Sequence, residues 1–535
     1  MTTEQQSPSN NDLIGRMSAL APGGACATPE ALEQLHEATR MLIDNFQAEG
    51  KLAQHPCALA LNRTVDLHHE AARARLDGQR VLVTGGAGCV GTRLLPLLAS
   101  LGAAEIIVVD IAHHAATLCG PHNTPIKNFQ VDIRDVAALN DVFAQVKPQV
   151  VFHLAGIREP GRAEAVVREA IDTNVFGTRN VINACLLHGV QDAVYSSTGK
   201  CFAYVSDHVY TGSKKLAEAQ WVVAARRSLS TRFRCTRFTH VMENGLVAQD
   251  IGKGIESGLL GLHGPDRYFN IQNLRQATHL LVNALALADQ TPADGFWSAV
   301  DLGWPVNTLE LALYSIVKSG KPVAVSFLGV PKGYDEAFFR GQFCWSGTTE
   351  YHPLVNALEA PSGFEDGTGT MIGARVQPFS DIALAVELDK LQKALDESTV
   401  NAKCALNQAV NGLARAVFAA ADLPRLIDIL WWGAAPAWAG ENASEAVRFR
   451  HIISLLADAI VSRLGQSPGL SGAQRQKLLE VAQTLAQVES LRTQWEGIRS
   501  LLNTEPPRKP GAAPQSIPCR NSGHNSASLM SEKLA

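Results

Sequence analysis

Charge is scarce in this chain of 535 residues. Asp, Glu, Lys and Arg make up 18%, against 46% hydrophobic residues, and the formal net charge is −4. The first ratio excludes a solvated, disordered polymer and leaves ample apolar surface for cores. The small net charge excludes a global field that would gather nucleic acid or anionic lipid, so any phosphate recognition must be local. None of the ten cysteines pairs with another at Cys-x-x-Cys spacing, which excludes the common zinc modules. A chain this long needs no disulfide staples, so a reducing, cytoplasmic setting is expected. The pairs His68-His69 and His113-His114 lack further ligands at metal spacing; no metal is expected, and these side chains are read as surface residues. No uncharged apolar run reaches the ~20 residues a membrane span needs, since "LLPLLASLGAAEIIVVD" is broken by Glu105. The polar start "MTTEQQSPSNND" has no apolar run behind it, so no secretory signal is expected there. No internal repeat is present.

The length admits two to four domains at ~150 residues each. Residues 1–27 are rich in Ser, Asn, Gly and Pro and are expected to be disordered. A helical lead-in over 28–78 follows, with Leu32, Leu35, Ala38, Leu42 and Phe46 on one face. Over 79–240, short β-branched runs ("RVLVTGG", "AEIIVVD", "NFQVD", "QVVFHLAG", "DAVYSS") alternate with helical patterns. That alternation predicts a doubly wound, Rossmann-type parallel sheet. Residues 241–360 read as a smaller α/β substrate lobe, and "EAPSGFEDGTGTMIG" at 359–373 as a linker. A helical domain is expected over 374–503. Its apolar residues Leu478, Val481, Leu485, Val488, Leu491, Trp495, Ile498 and Leu502 step by threes and fours, close to a coiled-coil seam that permits oligomerisation. The tail 504–535 is expected to be disordered.

"VLVTGGAGCVGTRLL" is a strand, a glycine-rich turn and a helix start, with Gly85, Gly88 and Gly91 at G-x-x-G-x-x-G spacing. Glycines there permit the tight turn, the approach of a pyrophosphate to backbone, and close helix–strand packing. The helix N-terminus, starting at Cys89 and Val90, offers N–H groups to phosphate. Cys89 itself is read as a small space-filler rather than a redox thiol. Asp110 ends the next strand, where a carboxylate accepts ribose hydroxyls. The "DIAHH" around it holds no Arg or Lys for a 2′-phosphate, which favours NAD over NADP. Asp132 and Ile133 are candidates for the adenine edge, and Ala155 and Gly156 keep bulk away from the cofactor.

Tyr210 and Lys214 stand one helical turn apart, behind the strand-terminal run Ser196-Ser197-Thr198. A neighbouring ammonium is expected to draw the tyrosine pKa from ~10 toward neutrality. The phenolate then takes a hydroxyl proton as hydride leaves the same carbon. Thr198 is expected to hydrogen-bond that oxygen.

This order of motifs resembles the extended short-chain dehydrogenase/reductase superfamily, and within it the polysaccharide-biosynthesis branch of CapD-like nucleotide-sugar 4,6-dehydratases and epimerases. The resemblance runs from about 60 to 358 through "LNRTVDLHHEAARARLDGQRVLVTGG", "TNVFGTRNVINACLLHGV" with Asn174, "CTRFTHVMENG", "DRYFNIQNLRQA" and "VDLGWPVNTLELALYSIVKSGK". It implies NAD as cofactor, with Asn174 among its contacts, and a UDP-linked sugar as substrate. It also implies pairing of two copies through a four-helix interface, and puts Arg158, Arg237, His240, Arg267, Tyr268 and Lys332 on the substrate side.

The chain departs from that pattern at instructive places. The dehydratases carry Thr-Asp-Lys where this chain has Thr198-Gly199-Lys200; there the aspartate protonates a departing hydroxyl and the lysine takes a carbon-bound proton. Lys200 remains, and glycine supplies no acid. The family's Arg-Pro-Gly-Glu-Lys diphosphate loop appears as "GVPKGYDE", with Lys332 its cation. Asp207 replaces the missing acid only if its loop folds inward. The expectation is an NAD-dependent epimerase or 4,6-dehydratase acting on a nucleotide sugar in polysaccharide precursor synthesis. The alternatives are an oxidoreductase on another small alcohol or ketone, or a cofactor-binding scaffold acting through its helical half, where Trp431, Trp432 and Trp438 either offer a patch or fill a core.

Overall fold

In the computed structural model, residues 8–503 are described apart from 25–27, 121, 245, 304, 348–351, 399 and 466–468. Residues 1–7 and the tail from 504, both expected to be disordered, lie outside the described residues.

Seven parallel strands form the centre: β1 Arg80–Thr84, β2 Glu105–Asp110, β3 Thr124–Gln130, β4 Val150–His153, β5 Asp192–Thr198, β6 Arg232–Phe238 and β7 Gly295–Ala299. They lie in the order 3-2-1-4-5-6-7. A last strand, β8 Met371–Arg375, runs antiparallel to β7. The strands are near-continuous apolar runs because both faces are covered. In β1 and β2, Val81, Val83 and Val108 enter one core while Leu82, Ile107 and Val109 enter the other, the period of two that a sheet imposes. This is the doubly wound fold expected from the sequence. Thr84 pairs with both Val109 and His153, and His153 with Tyr195. The C-terminal ends of β1, β2, β4 and β5 therefore share one edge, the place where such sheets bind ligands.

Three sequence expectations need correction. Residues 10–20 are helical rather than disordered: Ser9 and Asp12 make a capping box at the start of Asn10–Leu20, and Leu13 and Met17 are buried. This helix and Pro29–Ala48 pack on the substrate lobe, where Thr39 Oγ1 accepts the Val325 N–H at 2.9 Å. The stretch read as a linker runs into β8, whose Met371 and Ala374 are fully buried; its glycines masked a two-sided strand, and the main sheet extends past the expected boundary at 240. The seam over 478–502 breaks into helices Gly472–Leu485 and Arg492–Asn503. Leu478, Val481, Leu485, Val488, Leu491, Ile498 and Leu502 are all buried within the chain's own core, so the seam leaves no free face for a second copy.

The C-terminal helices share that core with Val209, Leu216 and Ala219 of the helix Val209–Arg227. Lys403 reaches Glu164 at 2.7 Å, and the other oxygen of Glu164 accepts the Val209 N–H at 2.8 Å. Trp432 is buried, Trp438 packs on the same core, and Trp431 donates to Glu480 at 2.6 Å; these tryptophans are core and core-rim residues. His68, read as a surface residue, sits 2.8 Å from the buried Asp366 carboxylate. Among the described residues no helix is long and apolar enough to cross a membrane, and no cluster of metal-ligating side chains occurs.

Candidate active site

The glycine bend is shaped by what surrounds it. At Gly85 φ is +72°, and a Cβ there would stand 2.6 Å from the Ala155 backbone nitrogen; one on Gly91 would stand 2.6 Å from Gly86 Cα. Both positions admit only glycine. Gly88 caps the helix Cys89–Ser100 without a side chain, so the first helical N–H groups, those of Cys89 and Val90 included, are open to an anion. Asp110 takes the Ala87 N–H at 3.0 Å and the Ala112 N–H at 2.9 Å, which stiffens the bend while lone pairs remain for ribose hydroxyls. A dinucleotide fits these groups: a backbone cradle, a helix start and a strand-terminal carboxylate converge, and no side chain fills the bend.

Around this cradle the remaining candidates divide into contacts and supports. Asp132 is held by Arg134 through bonds of 2.9 and 2.6 Å, which keep its carboxyl below the usual range. Ile133 is buried against Gly177. Asn174 lies in a π-turn, Asp172–Gly177, and is fully buried. Its side chain clamps Ile157 at both N–H (2.8 Å) and carbonyl (3.0 Å) and donates to Ser213 at 3.0 Å, so it ties the Ala155-Gly156 loop to the catalytic helix. Burial pushes the Cys89 thiol up, which suits a space-filler.

Thr198, at the end of β5, is close enough to the Tyr210 phenol to draw it down. The tuning of the tyrosine differs from expectation. Burial pushes the Tyr210 phenol up to about 12, opposed by Thr198 and the Arg158 charge. Lys214 is turned elsewhere: its Nζ donates to the Ser196 carbonyl at 2.8 Å and lies 4.3 Å over the Tyr195 ring, and burial brings it down to about 8. The protein alone therefore holds Tyr210 as the neutral phenol, because a buried ammonium satisfied by a carbonyl contributes little to a phenolate.

The substrate-side candidates separate. Arg158 is exposed, and its charge acts on Tyr210, Cys89 and His240. His240 is brought down to about 4 by burial and by Arg158, and is neutral at pH 7. Arg267 and Lys332 are exposed on the lobe side. Arg237 is a correction: it is 1% exposed, bonded to Glu218 at 2.6 Å and to Glu359 at 2.7 Å, with Phe296 3.8 Å below. A guanidinium so enclosed binds no substrate. It also donates to the Leu354 carbonyl at 2.9 Å, and Leu354 fills the space beside Gly199, where a Cβ would land on Leu354 Cδ2. Asp207 does not fold inward; its side chain is 79% exposed and pairs with His208 at 2.9 Å.

One carboxylate escaped the sequence reading. Glu336, in the loop "GVPKGYDE", is 5% exposed and receives Lys200 Nζ at 2.9 Å, Thr211 Oγ1 at 2.8 Å and Ser206 Oγ at 2.5 Å. The loop is seated by Gly333 (φ +94°) over Pro160, by Tyr334 against Gly161, and by Asp335, 2.8 Å from His208 Nε2. The only signal in the sequence was that a family cation loop had become acidic.

The chain is similar to several known proteins. Residues 81–333 match the family described as "Polysaccharide biosynthesis protein". The probable polysaccharide biosynthesis protein EpsC of Bacillus subtilis (strain 168) is 28% identical over 54% of this chain and 48% of its own length. The capsular polysaccharide biosynthesis protein CapD of Staphylococcus aureus is 26% identical over 50% and 46%. The chain thus spans about half the length of the curated relatives it matches. Among solved structures, Pen from Bacillus thuringiensis aligns with a TM-score of 0.46 and 19% identity, over 57% of this chain and 89% of Pen.

Proposed function

We propose, from the match of residues 81–333 to the family described as polysaccharide biosynthesis protein, that the chain is an NAD-dependent enzyme that modifies a UDP-linked sugar. NAD, when bound, supplies a positively charged ring that accepts and returns hydride. The cradle Gly85–Gly91 and Asp110 would hold it, and Arg158 would meet the anionic substrate beside the catalytic helix. The observation that carries the reading is the place of Thr198, which ends β5 at the sheet edge that carries the cradle, with Tyr210 in the first turn of the helix that follows. Thr198 orients the sugar hydroxyl, and Tyr210 takes its proton as the carbon is oxidised. Positive charge entering this buried site favours the phenolate that Lys214 alone does not sustain.

Simple removal of water in the family's manner is disfavoured here, since Leu354 occupies the space an aspartate at 199 would need. The test is incubation of the full chain with UDP-N-acetylglucosamine and NAD, read by mass spectrometry. A new isomer of unchanged mass supports epimerisation, and loss of water supports dehydration. Unaltered substrate, together with no dinucleotide binding by calorimetry, refutes the reading.

A further inference from the structure

The helix that carries Tyr210 starts without a cap of its own. His208, the residue before Val209–Arg227, offers no side chain to the first N–H groups, which a helix start leaves unpaired. The partner comes from another segment, where Glu164 Oε1 accepts the Val209 N–H at 2.8 Å. A negative charge at that helix start is also favoured by its dipole. The other oxygen of Glu164 receives Lys403 Nζ at 2.7 Å, and the carboxylate is only 9% exposed, so both bonds are charge-assisted in a poorly solvated place. Lys403 is the second residue of the helix Ala402–Ala420, whose start is capped by the Asn401 side chain accepting the Lys403 N–H at 3.0 Å. One carboxylate thus ties together the starts of two helices, one from each half of the chain.

Packing keeps the tie in register. Lys403, Leu406 and Val410 recur at the spacing of one helix face. A Cβ on Gly212 would stand 3.4 Å from Leu406 Cδ2 and 3.3 Å from Val410 Cγ2. Gly212 lies midway between Tyr210 and Lys214, so the helical domain rests against the turn that aims the phenol. The same domain grips the far end of the catalytic helix, where Arg226 donates to Asp381 at 2.5 Å. The strand leading into the glycine bend is placed otherwise. Its Val81, Leu82 and Val83 enter the two other cores, while the core of the helical domain is shared with Val209, Leu216 and Ala219 of the catalytic helix.

We propose that Lys403, acting through Glu164, is a positioning residue for Tyr210, and that the helical domain is thereby part of the catalytic apparatus. Without the ammonium, Glu164 is free to turn toward solvent, the Val209 N–H loses its partner, and the first turn frays. Tyr210 stands in that turn, and a proton acceptor displaced by ~1 Å costs up to ~10² in rate. Arg226 and Asp381 hold the same domain to the same helix at the end away from Tyr210, so docking and positioning are separable. The effect on rate rests on the reading of Tyr210 as the group that takes the sugar hydroxyl's proton; the hold on the helix start does not.

The experiment compares the full-length protein with Lys403→Met, Lys403→Arg, Glu164→Ala, the double variant of Lys403→Met with Glu164→Ala, and Arg226→Met. Without substrate, hydrogen–deuterium exchange is followed by mass spectrometry in peptides covering 205–215 and 80–92. Lys403→Met and Glu164→Ala are expected to speed exchange in the first peptide about tenfold and leave the second unchanged, with Lys403→Arg close to the wild type. With NAD and UDP-N-acetylglucosamine, Lys403→Met is expected to lower kcat ~10-fold or more with KM within about threefold. Lys403→Arg should restore most of that loss, and the double variant should lose no more than Glu164→Ala alone. Arg226→Met is expected to lower Tm as much as Lys403→Met does while keeping kcat within about twofold. Unchanged exchange at 205–215, wild-type kcat in Lys403→Met, an equal kcat loss in Arg226→Met, or additive losses in the double variant each overturn the proposal. Faster exchange in the variants with no sugar product from the wild type overturns the nucleotide-sugar reading, and leaves the hold of Lys403 and Glu164 on the helix start standing.

Discussion

The two ends of the site meet at one sheet edge, and each turns on a glycine, but the glycines do opposite things. At the nucleotide end, Gly85 and Gly91 keep space open: backbone already crowds to 2.6 Å of where a side chain would begin, so the emptiness is enforced and a ligand can use it. At the catalytic end, Gly199 keeps nothing open, because Leu354 occupies the room. Leu354 is in turn held by Arg237, pinned between Glu218 and Glu359. A glycine beside a functional residue thus signals a ligand cradle only when backbone, rather than a replacing side chain, defines the gap.

The sharpest way to break this comparison is at Tyr210. Tyr210→Phe is expected to lower turnover ~10²–10⁴-fold while leaving dinucleotide affinity unchanged by calorimetry. Equal loss of both would mean that the two ends are not separable. At the nucleotide end, Gly91→Ala forces a methyl against Gly86 backbone and is expected to cost about 1–3 kcal/mol of stability, seen as a lower Tm, along with weakened dinucleotide binding. At the other glycine, Gly199→Asp restores the family's letter but not its room. It is expected to cost a similar 1–3 kcal/mol through Leu354 and to give no water-loss product by mass. A gain of dehydration in Gly199→Asp would show that Leu354 yields, and would erase the distinction.

What the sequence revealed follows the same division. The bend, Asp110, Tyr210 and Thr198 were legible because each sits within a few residues of the turn or strand end that gives it meaning. Glu336 was not, since its partner Lys200 is 136 residues away and no local spacing records a loop folding back. Arg237 was misread for a related reason: the resemblance put it on the substrate side, but Glu218 and Glu359 enclose it, and only packing reveals that. The helix Asn10–Leu20 was hidden by a polar start whose Ser9 and Asp12 are caps rather than signs of disorder. Strand β8 was hidden by the glycines around it and by its own Gly373, which lies between Phe364 and Phe296.

The smallest expected effect concerns the loop that carries Glu336. Burial alone would lower the His208 imidazolium, but the carboxylates of Asp207 and Asp335 lift it to about 9, with Glu336 adding to the negative surroundings. A histidine raised above its unfolded value of ~6.5 contributes stability that is full below that value, fades as pH rises, and is gone above about 9. The full shift would correspond to about 3 kcal/mol, but Asp207 and Asp335 are 79% and 51% exposed, and solvent screening reduces the contribution to roughly 1 kcal/mol. Between about pH 6.5 and 9, then, the loop's hold on the catalytic helix should weaken while the glycine bend, which has no such titrating support, stays intact. Substrate KM should rise several-fold across that window with dinucleotide affinity flat, and His208→Gln should start from the high KM and show no rise. A parallel decline of both affinities in the wild type would mean that the alkaline change is global, and the separate behaviour of the two ends would be lost.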